Sequence, residues 1–133
     1  MERKNICTNS PWEQIVGYSR AVKIGNQIHV SGTTATNESG KIVGLGNPYA
    51  QTKQILNNIE SALVTAGANL EHVVRTRIYV TNIDRWQTIG RAYQECFGEI
   101  RPATTMVEVR RLIAPEVLVE IEADAIIPNI DNS

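Results

Sequence analysis

Two hydrophobic periods alternate along this chain, and their order restricts the fold more than any other feature. Residues 73–81 alternate, with Val74, Thr76, Ile78 and Val80 on one side and Arg75, Arg77, Tyr79 and Thr81 on the other. Period two is the pattern of a strand with one buried face. Residues 20–32 alternate likewise, interrupted by Gly25-Asn26, a pair suited to a hairpin turn. Two more strands are expected over 104–112 and 117–127, separated by Ile113-Ala114-Pro115. Between these segments the period changes. Ile55, Leu56, Ile59, Ala62, Leu63 and Ala66 make the stripe of an amphipathic helix. Asn47-Pro48 opens it, because asparagine caps and proline forfeits no hydrogen bond at the first position, and Gly67 closes it. A second stripe, Trp86, Ile89, Tyr93, Cys96 and Phe97, follows Asp84, a cap with Gln87 completing a capping box, and stops at Gly98.

The resulting order is ββαβαββ, which places the chain in the α+β class. Strands joined through a helix favour parallel right-handed crossovers, and terminal hairpins pair antiparallel, so the sheet is expected to be mixed. Both helices should cover one of its faces. Residues 1–16 read as an irregular lead-in and 36–46 as a loop rich in Asn, Ser and Gly. With 133 residues the chain suits a single domain over 1–133 and buries roughly two-thirds of its unfolded surface, enough for one core.

Sorting strand residues by parity separates two faces. Val74, Ile78, Val80, Val107, Val109, Val119, Ile121, Ala123 and Ala125 fall on the face expected beneath the helices. Arg75, Arg77, Tyr79, Thr104, Met106, Glu108, Arg110, Leu118, Glu120, Glu122 and Asp124 fall on the other. That second face fits two descriptions. It is either a solvated surface of cross-strand ion pairs, each contributing roughly 0.2–1 kcal/mol, or a face enclosed by oligomerisation and lining sites between subunits.

Charge and composition exclude several classes. Thirteen basic and fourteen acidic residues give a net charge of −1, without the basic stripe that displaces counterions, so no nucleic-acid partner is expected. No apolar run approaches the length of a membrane span, and the first thirty residues hold no continuous apolar stretch. Neither a membrane partner nor a signal peptide is expected. Cys7 and Cys96 are too isolated for a disulfide framework, which makes a reduced, cytoplasmic location the expectation. His29 and His72 are isolated too, so no metal-ligand spacing exists.

Several segments resemble one family. Gly17-Tyr18-Ser19-Arg20-Ala21-Val22, Val30-Ser31-Gly32, the helix with Gln51 and Asn58-Ile59, and Ala66-Gly67-Ala68 are similar to the RidA-like (reactive intermediate deaminase, YjgF-type, endoribonuclease L-PSP) proteins. So are Val73-Val74-Arg75-Thr76, Tyr79-Val80-Thr81, Arg101-Pro102-Ala103-Thr104-Thr105 through Val107-Glu108-Val109, and Val119-Glu120-Ile121-Glu122-Ala123. The resemblance runs from about Gly17 to Ile127 with matching order and spacing. It implies a chorismate-mutase-like fold, two helices on one face of the sheet, and a homotrimeric barrel with clefts between subunits. It also implies hydrolysis of reactive enamines and imines to ammonia and a 2-keto acid, without a metal or organic cofactor.

The same resemblance distributes roles. Glu120 matches the acidic residue that positions the attacking water, Tyr18 the aromatic wall of the cleft, and Ser31, beside Gly32, the serine at a strand end. The family arginine that grips the substrate carboxylate is replaced by Thr104, which lacks a charged planar fork. Gly90 and Met106 stand where deaminases often carry asparagine and cysteine. Glu120 and Tyr18 are therefore the catalytic candidates. Ser31, Gly32, Thr104, Thr105, Met106 and Arg20 are the candidates for binding a small molecule, Arg20 as substitute for the missing anion grip. Other readings of these residues stay open: an ion pair of Glu120 with Arg75 or Arg77, interface packing for Tyr18, and a local backbone bond for Ser31. Arg110-Arg111 reads as solvated, Cys96 as core, Cys7 as lacking a base, and Gly44-Leu45-Gly46 as an incomplete phosphate loop. The expected function is a trimeric hydrolase of a small imine or enamine. The alternative is a non-catalytic metabolite-binding trimer, and ribonuclease activity is disfavoured by the neutral charge and the lack of an aromatic-basic surface.

Overall fold

The computed structural model describes residues 1–129, so the expected single domain over 1–133 reaches four residues beyond the described part. The elements run β1 (Arg3–Ile6), β2 (Ala21–Ile24), β3 (Gln27–Thr33), α1 (Pro48–Thr65), β4 (Val73–Val80), α2 (Trp86–Phe97), β5 (Ala103–Glu108) and β6 (Val119–Ile126). The strands form one six-stranded sheet in the order β1-β2-β3-β6-β4-β5. The α+β architecture with a mixed sheet and two main helices is as the two periods predict.

Helix α1 follows its sequence signals closely. Asn47 Oδ1 accepts from the Ala50 N–H at 3.0 Å, and Pro48 takes the first helical position. Ile55, Leu56, Ile59, Ala62, Leu63 and Ala66 are all buried, and Gly67 leaves the helix at φ +89°. Helix α2 departs in its first turn. Asn82, not Asp84, does the capping: its side chain accepts from the Asp84 N–H at 3.0 Å and starts a short 3-10 turn over Ile83–Arg85. The helix then begins at Trp86 with no side-chain cap. Trp86 is 55% exposed, and the buried stripe starts only at Ile89, continuing through Ala92 and Phe97.

Sheet order differs from the expected terminal hairpins in one respect. Strands β5 and β6 do not pair. β6 lies between β3 and β4, antiparallel to both, and β5 pairs parallel with β4, as its helical connection requires. Val119, Ile121, Ala123 and Ala125 of β6 are all buried on the helix side, so this strand takes a central place and β5 is left at the edge. Gln51, fully buried on α1, holds the approach to β6: its Oε1 accepts from the Leu118 N–H at 2.9 Å and its Nε2 donates to the Glu116 carbonyl at 2.8 Å.

The lead-in is not irregular throughout. It contains β1, which pairs with β2 and buries only Ile6, and a π-helical turn over Glu13–Gly17. Glu13 is buried and anchors this region by accepting from the Thr8 backbone N–H at 2.9 Å and the Thr8 hydroxyl at 2.5 Å.

Two parity assignments are corrected. The β4–β6 register shifts between Val73 and Arg75, so Val73 is buried while Val74 turns outward, 44% exposed; the bulge breaks strict alternation. In β5 the faces are the reverse of those expected. Thr104, Met106 and Glu108 align with Thr76, Ile78 and Val80 on the helix side, whereas Thr105 and Val107 align with Arg77 and Tyr79 on the open side.

Candidate functional site

The open face is organised around a bulge in β3. Pairing with β6 passes from Val30 opposite Ala123 to Thr33 opposite Ile121, so Ser31 and Gly32 together face Glu122 alone. A bulge bends its strand and re-aims neighbouring groups. Here it brings the Gly32 backbone against Glu120: a Cβ on Gly32 would lie 2.1 Å from Glu120 Oε2. Only glycine leaves room for the carboxylate in this position.

Arg20 approaches the same point from the segment entering β2. Its Nη2 donates to the Gly32 carbonyl at 2.6 Å, its guanidinium carbon lies 5.7 Å from the centre of the Tyr18 ring, and its Nε is buried with no partner among the described residues. Ser31 pairs beside it, its N–H donating to the Arg20 carbonyl at 3.0 Å. The Ser31 hydroxyl donates to the Ser19 carbonyl at 2.7 Å, so it is left as an acceptor toward a ligand. Tyr18, Arg20, Ser31, Gly32 and Glu120 thus come together from three segments. Tyr18 and Ser31 also line an open cleft of about 570 Å³, walled on its far side by Arg3, Asn5 and Glu13.

Electrostatics single out Glu120. Burial pushes its carboxyl above the ordinary range, Arg20 pulls it part of the way back, and the neighbouring Glu122 raises it again. Its neighbours on the same strand have partners. Arg77 Nη1 lies 3.1 Å from Asp124 and 3.7 Å from Glu122, His29 Nδ1 lies 2.8 Å from Asp124 Oδ1, and the Tyr79 hydroxyl donates to Glu122 at 3.0 Å. Arg77 therefore serves Glu122 and Asp124, and Glu120 makes no ion pair among the described residues. A desolvated carboxylate with a raised pKa and no ion-pair partner can take a proton from water near neutrality.

The β5 candidates lie elsewhere within the chain. Thr104 and Met106 point to the helix side, two strands from β6; Thr105 shares the open face but sits beside Arg77. The Thr104 hydroxyl accepts from Thr76 Oγ1 at 2.7 Å, and Met106 packs partly against the core. Gly90 on α2 has open space beside it. Among the described residues no group of three or more His, Cys, Asp or Glu is placed to hold a metal, and no helix is long and apolar enough to cross a membrane. Sequence reasoning missed Asn5, Ser19 and Glu13 as part of the cleft wall. Asn5 Nδ2 donates to Ser19 Oγ at 2.8 Å and ties β1 to the site. The only signal was the short polar run Arg3-Lys4-Asn5, too brief to read as a strand.

Comparison with known proteins gives a consistent result. The family model described as Endoribonuclease L-PSP matches residues 8–127. A crystal structure of a Mycobacterium tuberculosis member of the YjgF/YER057c/UK114 family is 50% identical, covers 95% of this chain and 100% of its own, and superposes with a TM-score of 0.86. A RutC family protein of Pyrococcus abyssi is 39% identical over 94% of this chain and 98% of its own length. The 3-aminoacrylate deaminase RutC of Acinetobacter baylyi is 34% identical over 81% of this chain and 85% of its own length.

Proposed function

The chain belongs to the YjgF/RidA family of the Endoribonuclease L-PSP model, and from that premise we propose that it is a hydrolytic deaminase of small imines or enamines. The observation that carries this reading is the Glu120 carboxylate, half-buried against Gly32 with its pKa raised and no ion-pair partner among the described residues. Glu120 takes a proton from water as the oxygen adds to the C=N carbon and passes that proton to the nitrogen. It then takes the proton of the adduct's hydroxyl and delivers it to the amino group, which leaves as ammonia while the C–O bond becomes the carbonyl of the product. An enamine enters the same route after protonation on carbon to the imine. The relative named 3-aminoacrylate deaminase acts on an enamine of this class.

Arg20 keeps the bulge in place through the Gly32 carbonyl and moderates the charge of Glu120. The expected use of Arg20 as a substitute anion grip stays part of the proposal: one Nη2 N–H goes to the Gly32 carbonyl, and the buried Nε has no partner among the described residues, so donors remain for an anion. Tyr18 walls the cleft and Ser31 offers an acceptor. The active assembly is a homotrimer in the cytoplasm, with the exposed edge strand β5 of one subunit completing the cleft of its neighbour. In that arrangement Thr104, Thr105 and Met106 meet a ligand held by Glu120 of the next chain.

The test is ammonia release from freshly generated 2-aminoacrylate and 3-aminoacrylate and from their amides, each measured against the uncatalysed rate. Wild type should accelerate at least one, and Glu120→Gln should abolish the acceleration. No acceleration on any of them, or an unaffected Glu120→Gln, would leave a metabolite-binding trimer as the better account.

A further inference from the structure

A line of three hydroxyls crosses from the helix layer to the sheet edge. Tyr93 on α2 lies 2.6 Å from Thr76 Oγ1 on β4, and Thr76 Oγ1 lies 2.7 Å from Thr104 Oγ1 on β5. Thr76 is fully buried, Tyr93 is partly buried beside Phe97, and Thr104 is exposed. Each hydroxyl has one proton to give and lone pairs to receive another. Thr76 gives its one proton to Thr104, so the proton between Tyr93 and Thr76 comes from Tyr93. The line therefore runs Tyr93 to Thr76 to Thr104. The last proton, that of Thr104, has no acceptor among the described residues and sits on an exposed edge residue.

We propose that Thr104 is a pre-oriented, uncharged hydrogen-bond donor, that Thr76 and Tyr93 are the positioning residues that fix its direction, and that the ligand presents an uncharged carbonyl oxygen there, as an amide, ester or ketone does. This rests on the reading above in which β5 completes a ligand cleft. A single neutral donor stabilises a carbonyl acceptor well. It compensates poorly for the desolvation of a carboxylate, which needs charged or multiple donors. The line is also directional. Because Thr104 already receives a proton from Thr76, it meets a ligand as a donor, and an ammonium or amide N–H at that point finds one lone pair fewer.

The test uses a matched pair of 2-oxo compounds, pyruvamide and pyruvate, titrated by NMR into the full-length protein in its solution assembly. Wild type should bind pyruvamide more tightly than pyruvate. Thr104→Val and Thr76→Val should each weaken pyruvamide by about 2- to 10-fold, the range of one neutral hydrogen bond, and leave pyruvate unchanged. Tyr93→Phe should narrow the preference in the same direction, and Thr104→Ser should keep it. A purely structural role would weaken both ligands alike. Melting curves of the near-isosteric Thr76→Val and Thr104→Val confirm that the folded protein is being compared.

Equal or tighter binding of pyruvate, no binding of either compound, or a preference that survives Thr104→Val would each overturn the proposal. Its failure is separable from failure of the deaminase reading. Glu120→Gln removes ammonia release without touching the hydroxyl line. A protein that releases no ammonia yet shows the Thr104-dependent preference would refute catalysis and keep the donor.

Discussion

Replacing Gly32 by alanine should move one carboxylate and little else. Gly32 does not adopt a positive φ, so alanine fits its backbone. The new Cβ would sit 2.1 Å from Glu120 Oε2, 3.1 Å from Cδ and 3.4 Å from Cγ. Ordinary van der Waals contact begins near 3.4 Å, so the carboxylate oxygen has to move by about 1.3 Å. The obstructing atom is the end of a flexible side chain, so rotation of Glu120 relieves the clash while the sheet stays intact. A displacement of about 1 Å of a catalytic group costs on the order of 100-fold in rate. Stability should hardly change, since a compatible Gly→Ala replacement gains about 0.4–1 kcal/mol from the unfolded chain. Ammonia-release kinetics and a thermal melt on the same preparation decide the matter. The expected result is a kcat lower by about 10- to 100-fold with a Tm within about 3 °C of wild type. Wild-type kcat in Gly32→Ala would show that the position of Glu120 is immaterial. A collapse in Tm would show that glycine is needed by the fold, not by the carboxylate.

Other substitutions probe other parts of the account. Glu120→Gln should be as stable as wild type at neutral pH or slightly more so. A carboxyl whose pKa is raised by folding binds its proton more tightly in the folded state, so stability falls as pH rises from the unfolded to the folded value. A Tm for Glu120→Gln that falls relative to wild type between pH 4 and pH 7 would contradict that sign. Gln51→Leu should lower stability by about 1–3 kcal/mol, because the part-buried Leu118 N–H and Glu116 carbonyl bonds lose their side-chain partner; denaturant unfolding measures it. Asn47→Ala removes one cap and should cost about 1 kcal/mol, readable as a Tm lower by a few degrees. Thr104→Arg should reverse the ligand preference from pyruvamide to pyruvate in the NMR titration.

The sequence was most legible where one period ran without interruption. Every position of the α1 stripe from Ile55 to Ala66 is buried, and the Asn47-Pro48 start is where the helix begins. Val119, Ile121, Ala123 and Ala125 likewise face the core as alternation predicts. Alternation failed where a bulge or a change of strand entered. At Val73–Arg75 the bulge transferred the buried role from Val74 to Val73. In β5, parity within the strand is real, but which half faces the helices depends on how the strand emerges from the preceding turn. There Arg101 adopts φ +57°, ahead of Pro102, and Thr104 ends beside Thr76. Nothing within residues 104–112 records that orientation. The place of β6 at the sheet centre was equally hidden, since alternation marks which side of a strand is buried and not which strands flank it.

The same division holds for the site. Tyr18, Ser31, Gly32 and Glu120 were legible through a family resemblance and Arg20 through its parity with Tyr18, and the structure brings them together around the bulge. What sets Glu120 apart from its neighbours was not legible: the unequal pairing of Ser31 and Gly32 against Glu122, and the diversion of Arg77 to Glu122 and Asp124. Both depend on strand register, which is set by the whole sheet.

If Glu120 is the base that activates water, its own titration controls the rate. The measurement is the Glu120 carboxyl pKa by 13C NMR, set against the acid limb of kcat/KM for ammonia release across the same pH range. Burial should place the pKa above the ordinary carboxylate range, and activity should fall as pH drops through that same value, because protonation removes the base. An acid limb that coincides with the Glu120 titration is the predicted result. Activity that stays level while Glu120 becomes protonated would contradict the account.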